Sequence, residues 1–206
     1  VCSSDLNQTL RAGGGDASST FSGAINGAGA LAKLGTGSLT LLGSNAYAGG
    51  TTVSAGTLAI GGGAALLDAG AVSVAAGASL AILASETIGG LGGAGTVQLG
   101  AGQTLAVGGG DGSGNFAGRL TGAGALAKVG AGQVTLSGNL NDYSGGTTVN
   151  AGKLLTGVAQ ALPAGGAVAV DGGVLDIAGR DNLGLGPVTL VNGGIASTGS
   201  AAALGG

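Results

Sequence analysis

The sequence predicts an all-β chain coiled as a single elongated stack of rungs, a β-solenoid. Three observations predict it. First, glycine supplies 51 of 206 residues, yet 44% of the chain is apolar and only 7% is charged. Disorder needs low hydrophobicity with high net charge, and collagen needs glycine at every third position; this chain has neither. Second, the aromatics are only Phe21, Tyr47, Phe116 and Tyr143. A core built from Leu, Val, Ile and Ala suits narrow, stacked turns. Third, the chain repeats itself.

The repeat is long and close. Phe21-Ser-Gly-Ala-Ile-Asn-Gly-Ala-Gly-Ala-Leu-Ala-Lys33 recurs as Phe116-Ala-Gly-Arg-Leu-Thr-Gly-Ala-Gly-Ala-Leu-Ala-Lys128, 95 residues on. Asp16 matches Asp111 at the same offset. After one inserted residue the offset is 96, pairing Tyr47 with Tyr143 and Gly49-Gly50-Thr51-Thr52 with Gly145-Gly146-Thr147-Thr148. Two units are expected, over residues 7–102 and 103–198. Residues 199–206 are expected to be the tail of a truncated solenoid, and residues 1–6 a non-native leader outside the repeat.

Within each unit the elements are short strands. Leu39-Thr40-Leu41, Val53, Leu58-Ala59-Ile60, Val72-Ser73-Val74, Leu80-Ala81-Ile82, Val97-Gln98-Leu99 and Leu105-Ala106-Val107 alternate in the first unit and its junction. Val134-Thr135-Leu136, Leu154, Val168-Ala169-Val170, Leu175-Asp176-Ile177 and Val188-Thr189-Leu190 follow in the second. A period of two places branched residues inward and Thr, Ser, Gln or Asp outward. Glycine-rich pieces such as Gly35-Thr-Gly37 and Gly92-Gly93 mark the corners. Strands this short cannot stand alone, and most lack hairpin dipeptides between them, so parallel stacking is expected to satisfy their backbones.

The composition also excludes functions. There is no basic patch on a chain of net charge −3, so nucleic acid is not an expected partner. Without His, and with Cys2 as the single Cys, no Ser-His-Asp triad, Cys-His pair or multi-Cys metal site can be built. Gly27-Ala-Gly-Ala-Leu-Ala32 and its copy at 122–127 match a variant dinucleotide fingerprint, but no helix is expected to follow, so no cofactor is predicted. The closest carboxylate grouping is Asp171, Asp176 and Asp181. It invites comparison with glycan-cleaving β-helices or a Ca²⁺ site, but the calcium-binding nonapeptide is absent. Solvated turn and outward positions are expected for the acids. The paired landmarks Phe21/Phe116, Tyr47/Tyr143 and Lys33/Lys128 are expected to be structural, at a corner or plugging an end of the core. The apolar run Ala64 to Ser85 is too interrupted for a spanning helix, and no signal peptide opens the chain.

The segment Gly35-Thr-Gly-Ser-Leu-Thr-Leu-Leu-Gly-Ser-Asn-Ala-Tyr-Ala-Gly-Gly-Thr-Thr-Val-Ser-Ala-Gly-Thr-Leu58, with its copy from Gly130 to Leu154, resembles the autotransporter-associated β-strand repeat of bacterial type V secretion. The resemblance covers about residues 7–198. It implies a right-handed parallel β-helix, exported through the outer membrane by a barrel of the same parent chain, and a rigid surface stalk or adhesin-like scaffold rather than an enzyme. A fragment of a β-helix polysaccharide lyase or glycoside hydrolase is the alternative. An ice-binding solenoid would need a regular Thr-x-Thr ladder, which is missing. The expected partners are that translocator barrel, an unidentified host or surface ligand and, through the open ends of the stack, further copies of the chain.

Overall fold

The structure, a computed structural model, describes residues 8–179 and 185–198. It is a parallel β-solenoid of about nine turns. Residues 1–6 and 199–206, and Asp181, lie outside the described residues.

Three faces carry the strands. Face one is a ten-stranded sheet running from Leu10–Ala12 through Leu31–Lys33, Thr51–Val53, Val72–Val74, Leu91–Gly93, Gly114–Phe116, Gln133–Leu136, Lys153–Thr156 and Val174–Asp176 to Gly194–Ala196. Face two has six strands, from Ser19–Phe21 through Ser38–Leu41, Thr57–Ile60, Ser79–Ile82 and Thr96–Leu99 to Arg119–Gly122. Face three begins with the pair Asn26–Gly27 and Ala46–Tyr47. It resumes as six strands from Glu86–Ile88 through Thr104–Val107, Ala125–Lys128, Thr147–Val149 and Val168–Val170 to Val188–Leu190. Each strand-to-strand pairing is parallel, so a strand of three or four residues is held from below and above by its neighbours rather than by its own length.

The alternating pattern sets which side chains enter the core. Leu39, Leu41, Val72, Val74, Leu136 and Val170 are all buried, while Thr40 and Ser73 between them face outward. Inward columns run through the stack: Leu39, Leu58, Leu80, Val97 and Leu120 are successive register partners on face two, and all are buried. At about 25 cal/mol per Å² of apolar area, this axial core is the main term favouring the fold.

The repeat does not close on a whole number of turns. Register partners on face one lie between 19 and 23 residues apart. From Leu31, the register passes to Thr51, Val72 and Leu91 and so to the level of Gly114, four turns on and still on face one. Face two is then crossed before the chain reaches, on face three, Leu126, the residue that matches Leu31 in sequence. The matching strands therefore change face: Leu31–Lys33 lies on face one and Ala125–Lys128 on face three, while Ser38–Leu41 lies on face two and Gln133–Leu136 on face one. Each copy of the motif is rotated about a third of a turn from the other.

Candidate functional site

The landmarks that recur along the chain are corner and core devices, and each is built twice with the same geometry. Lys33 and Lys128 end their strands with their side chains turned inward and almost wholly buried. The Lys33 ammonium donates to the carbonyls of Leu34 at 2.6 Å, Gly35 at 2.8 Å and Ala55 at 3.2 Å. Lys128 donates to Val129, to Gly130 at 2.7 Å and to Ala151 at 3.2 Å. The third carbonyl in each set belongs to the next turn, so the ammonium clamps two turns at one corner. Burial pulls both lysines below their ordinary pKa, opposed by the charges of Asp16 and Asp111. Those two aspartates sit at positive φ, 59° and 60°, and their carboxylates accept the backbone N–H of Thr36 and of Ala131 one turn on.

The tyrosines point into the core. Tyr47 and Tyr143 are 2% and 1% exposed, and each hydroxyl lies 2.6 Å from the side-chain oxygen four residues on, Thr51 or Thr147. Burial pushes the Tyr47 phenol up to about 12 against the opposing Thr51 bond, and carries the Tyr143 phenol higher. Both lie within the stack rather than at an end. Thr51 and Thr147 consequently face inward, a correction to the outward position expected of threonine; Thr52 and Thr148 face outward. The glycine pair before them is required twice over. Gly50 and Gly146 have φ of 78° and 85°. A Cβ on Gly49 or Gly145 would come within 2.8 Å and 2.4 Å of backbone in the turn below, closer than packed atoms allow.

Phe116 is fully buried and Phe21, in the first described strand of face two, is half-buried. Asn45 and Asn141, unremarked in the sequence, do comparable work. Each accepts the N–H of Ile25 or Leu120 from the turn before and donates to the carbonyl of Ala65 or Ala161 in the turn after. The signal was present, since the two lie 96 residues apart.

Two acids depart from the solvated positions expected. Asp176 is fully buried, receiving Lys153 Nζ at 2.7 Å, the N–H groups of Ala178 and Thr198, and the Thr198 hydroxyl. Burial raises its pKa, but these donors outweigh burial and hold the carboxyl well below the usual range. Glu86 is 3% exposed in an inward column, beside Leu105. The turn beneath it, residues 61–71, carries no strand on face three, and the Glu86 carboxyl accepts the backbone N–H groups of Ala65 and Leu66 from that turn. Asp171, by contrast, lies exposed and accepts from Asn192. Arg119 and Asp142 form an exposed ion pair on the outside of the stack.

Among the described residues, no group of three or more His, Cys, Asp or Glu is placed to hold a metal ion. A depression of about 290 Å³ on face one is lined by Gly50, Thr52, Ser73, Gly92 and Gly114, among others, none of them acid, base or cation. What recurs is thus a set of staples between turns.

The same segments match a family model, the passenger-associated-transport-repeat, over residues 31–60 and 126–155. These two stretches hold the lysine corners, the Tyr–Thr pairs and the glycine pairs. The chain carries autotransporter passenger repeats. It is similar to the adhesin BmaC autotransporter of Brucella suis biovar 1 (strain 1330), 39% identical over 183 residues, which cover 85% of this chain and 5% of that protein. The chain spans only this small share of its relative. No solved structure matches. In these passenger repeats the inward and corner positions are the ones that recur, so the motif is a description of how one turn is fastened to the next.

Proposed function

We propose that this chain is a rigid segment of a surface-exposed autotransporter passenger, an adhesin-like scaffold without catalytic activity. The observation that carries the reading is the recurrence of staples rather than of reactive groups: the repeated lysines, aspartates and asparagines bond the neighbouring turn, and the repeated tyrosines bond a threonine inside the core. The 95-residue offset adds to it. Because matching positions fall on different faces, the outward residues of the motif are spread around the axis, as suits a stalk that meets its surroundings from all sides.

On this reading the chain comprises two copies of one unit, over about residues 7–102 and 103–198. The parent protein would supply the translocator barrel that exports it through the outer membrane, and a host or abiotic surface would supply the ligand. End-to-end pairing of stacks belongs to the same reading: among the described residues, Val188, Leu190 and Ile195 in the last turn are 40%, 52% and 48% exposed, an apolar surface that a further turn of β-solenoid would cover.

The test is surface display. The chain is placed between a signal peptide and a translocator barrel with an epitope at its exposed end, and cells are scored for epitope access and for adherence to coated surfaces. Accessible epitope with raised adherence is the expected result. Purified chain that turns over pectin, alginate or peptide, with the rate lost on Asp176→Ala, would overturn the non-catalytic reading.

A further inference from the structure

The dipeptide Asn-Gly occurs twice in the chain, at Asn26–Gly27 and at Asn192–Gly193. In both, the asparagine is exposed and the glycine half-buried. Water reaches the two alike, so the hold on the backbone is what separates them. Asn26–Gly27 is a strand, in parallel register with Ala46–Tyr47. The N–H of Ala46 donates to the carbonyl of Ile25 at 2.8 Å, and that of Ala48 to the carbonyl of Gly27 at 2.9 Å. The peptide between Asn26 and Gly27 is thus pinned on either side. Asn192–Gly193 instead lies in a corner, between the strands Val188–Leu190 on face three and Gly194–Ala196 on face one. Its flanks are tied, by the N–H of Val191 to Val170 at 2.9 Å and that of Gly194 to Gly173 at 3.0 Å, but among the described residues none accepts the N–H of Gly193 itself. The fold also requires a glycine here: a Cβ on Gly193 would come within 2.4 Å of the Val170 side chain and 2.5 Å of the Gly173 carbonyl. The residue that leaves the preceding side chain most open to attack is therefore built in.

We propose that Asn192 is a site of spontaneous covalent modification, losing its side-chain amide through a cyclic imide with Gly193, and that the same dipeptide at Asn26–Gly27 is protected by its strand. The Gly193 N–H gives its proton to hydroxide from the solvent, and the nitrogen attacks Cγ of Asn192. The new N–Cγ bond forms as the Cγ–Nδ2 bond breaks, and Nδ2 leaves as ammonia with a proton taken from water. A second water then opens the imide. Opening at the side-chain carbonyl gives aspartate, and opening at the main-chain carbonyl gives isoaspartate. Nothing is oxidised or reduced, and water is the only co-reactant.

The reaction changes how two turns meet. In the intact chain the Asn192 Nδ2 donates to the Asp171 carboxylate one turn below at 2.9 Å. Both side chains are exposed, so this bond competes with water and fixes the amide less firmly than a ladder fixes a strand. Either product puts a carboxylate where the donor stood, facing Asp171, and a tie between turns becomes a repulsion. The isoaspartyl product also adds one carbon to the main chain at the corner that leads into the strand Gly194–Ala196.

The experiment holds the whole folded chain at mildly alkaline pH, with a parallel sample in denaturing urea. Both are sampled over time and mapped by peptide mass spectrometry for the exchange of amide for acid, and isoaspartate is counted by enzymatic methylation. In the folded chain Asn192 is expected to react about tenfold or more faster than Asn26, because the strand must open before Gly27 can reach the side chain. In urea the two sites are expected to react at comparable rates. A folded chain that keeps the Asn192 amide while the unfolded chain loses it overturns the proposal, and so does loss at both sites at one rate in the folded chain. The same disparity in urea as in the folded chain would assign it to the flanking sequence and overturn the protection by the strand.

Discussion

Replacing Tyr143 by Phe removes one oxygen from the middle of the stack and leaves the core volume almost unchanged. Tyr143 is 1% exposed, and its hydroxyl lies 2.6 Å from that of Thr147, itself 3% exposed. The substitution strands the Thr147 hydroxyl in a dry core. A buried polar group left without a partner costs about 1–3 kcal/mol, so Tyr143→Phe should lower stability by about 1.5 kcal/mol. Thr147→Val should cost a similar amount by stranding the phenol. Replacing both leaves two apolar groups in contact, and the double variant should lose far less than the two single losses combined, with a coupling of about 1 kcal/mol or more. Urea denaturation followed by far-UV circular dichroism measures all three, provided the slopes agree with that of the unaltered chain. Strictly additive losses would refute the reasoning, because they would mean that the two hydroxyls do not depend on each other.

Other substitutions probe the remaining staples. Lys128→Met removes the ammonium that three carbonyls share and should cost about 2 kcal/mol, read by the same denaturation; unchanged stability would mean those carbonyls find other donors. Leu136→Asp places an unpaired charge in the column between Phe116 and Thr156 and should cost about 4 kcal/mol or more, whereas Arg119→Ala, at an exposed ion pair, should leave the midpoint where it was. Asp176 is held ionised in the folded chain, so its contribution is present at neutral pH and is lost as pH falls through the ordinary aspartate value of 3.8 and below. An acid titration in which Asp176→Asn matches the unaltered chain at neutral pH would contradict that assignment.

The strands were legible because a period of two survives in very short pieces: Leu39 and Leu41 enter the core and Thr40 does not, as the alternation requires. The rotation of the repeat was not legible. A strand of three or four residues reads the same whichever face it occupies, and the 95-residue offset says nothing of the turn length until the register is seen. Thr51 and Thr147 were misplaced because their inward position depends on a tyrosine four residues earlier, a partner that strand patterning does not weigh. Asp176 and Glu86 were expected in solvent because acids usually are. Their burial rests on tertiary donors, Lys153 and Thr198 in one case and a turn without a strand in the other. The asparagine bridges at Asn45 and Asn141 could have been found, since their spacing matches that of the tyrosines beside them.

The account stands on one continuous parallel stack, and distances along a single outward column test it most directly. On face two, Thr20, Thr40, Ala59, Ala81, Gln98 and Thr121 are successive register partners. Spin labels placed pairwise at Thr20 and Gln98, and at Thr20 and Thr121, are four and five rungs apart in this column. At about 4.8 Å per rung the backbone separations are about 19 Å and about 24 Å. Pulsed dipolar spectroscopy should return two narrow distributions that differ by about one rung. Broad distributions, or a Thr121 label no farther from Thr20 than the Gln98 label, would contradict the stack.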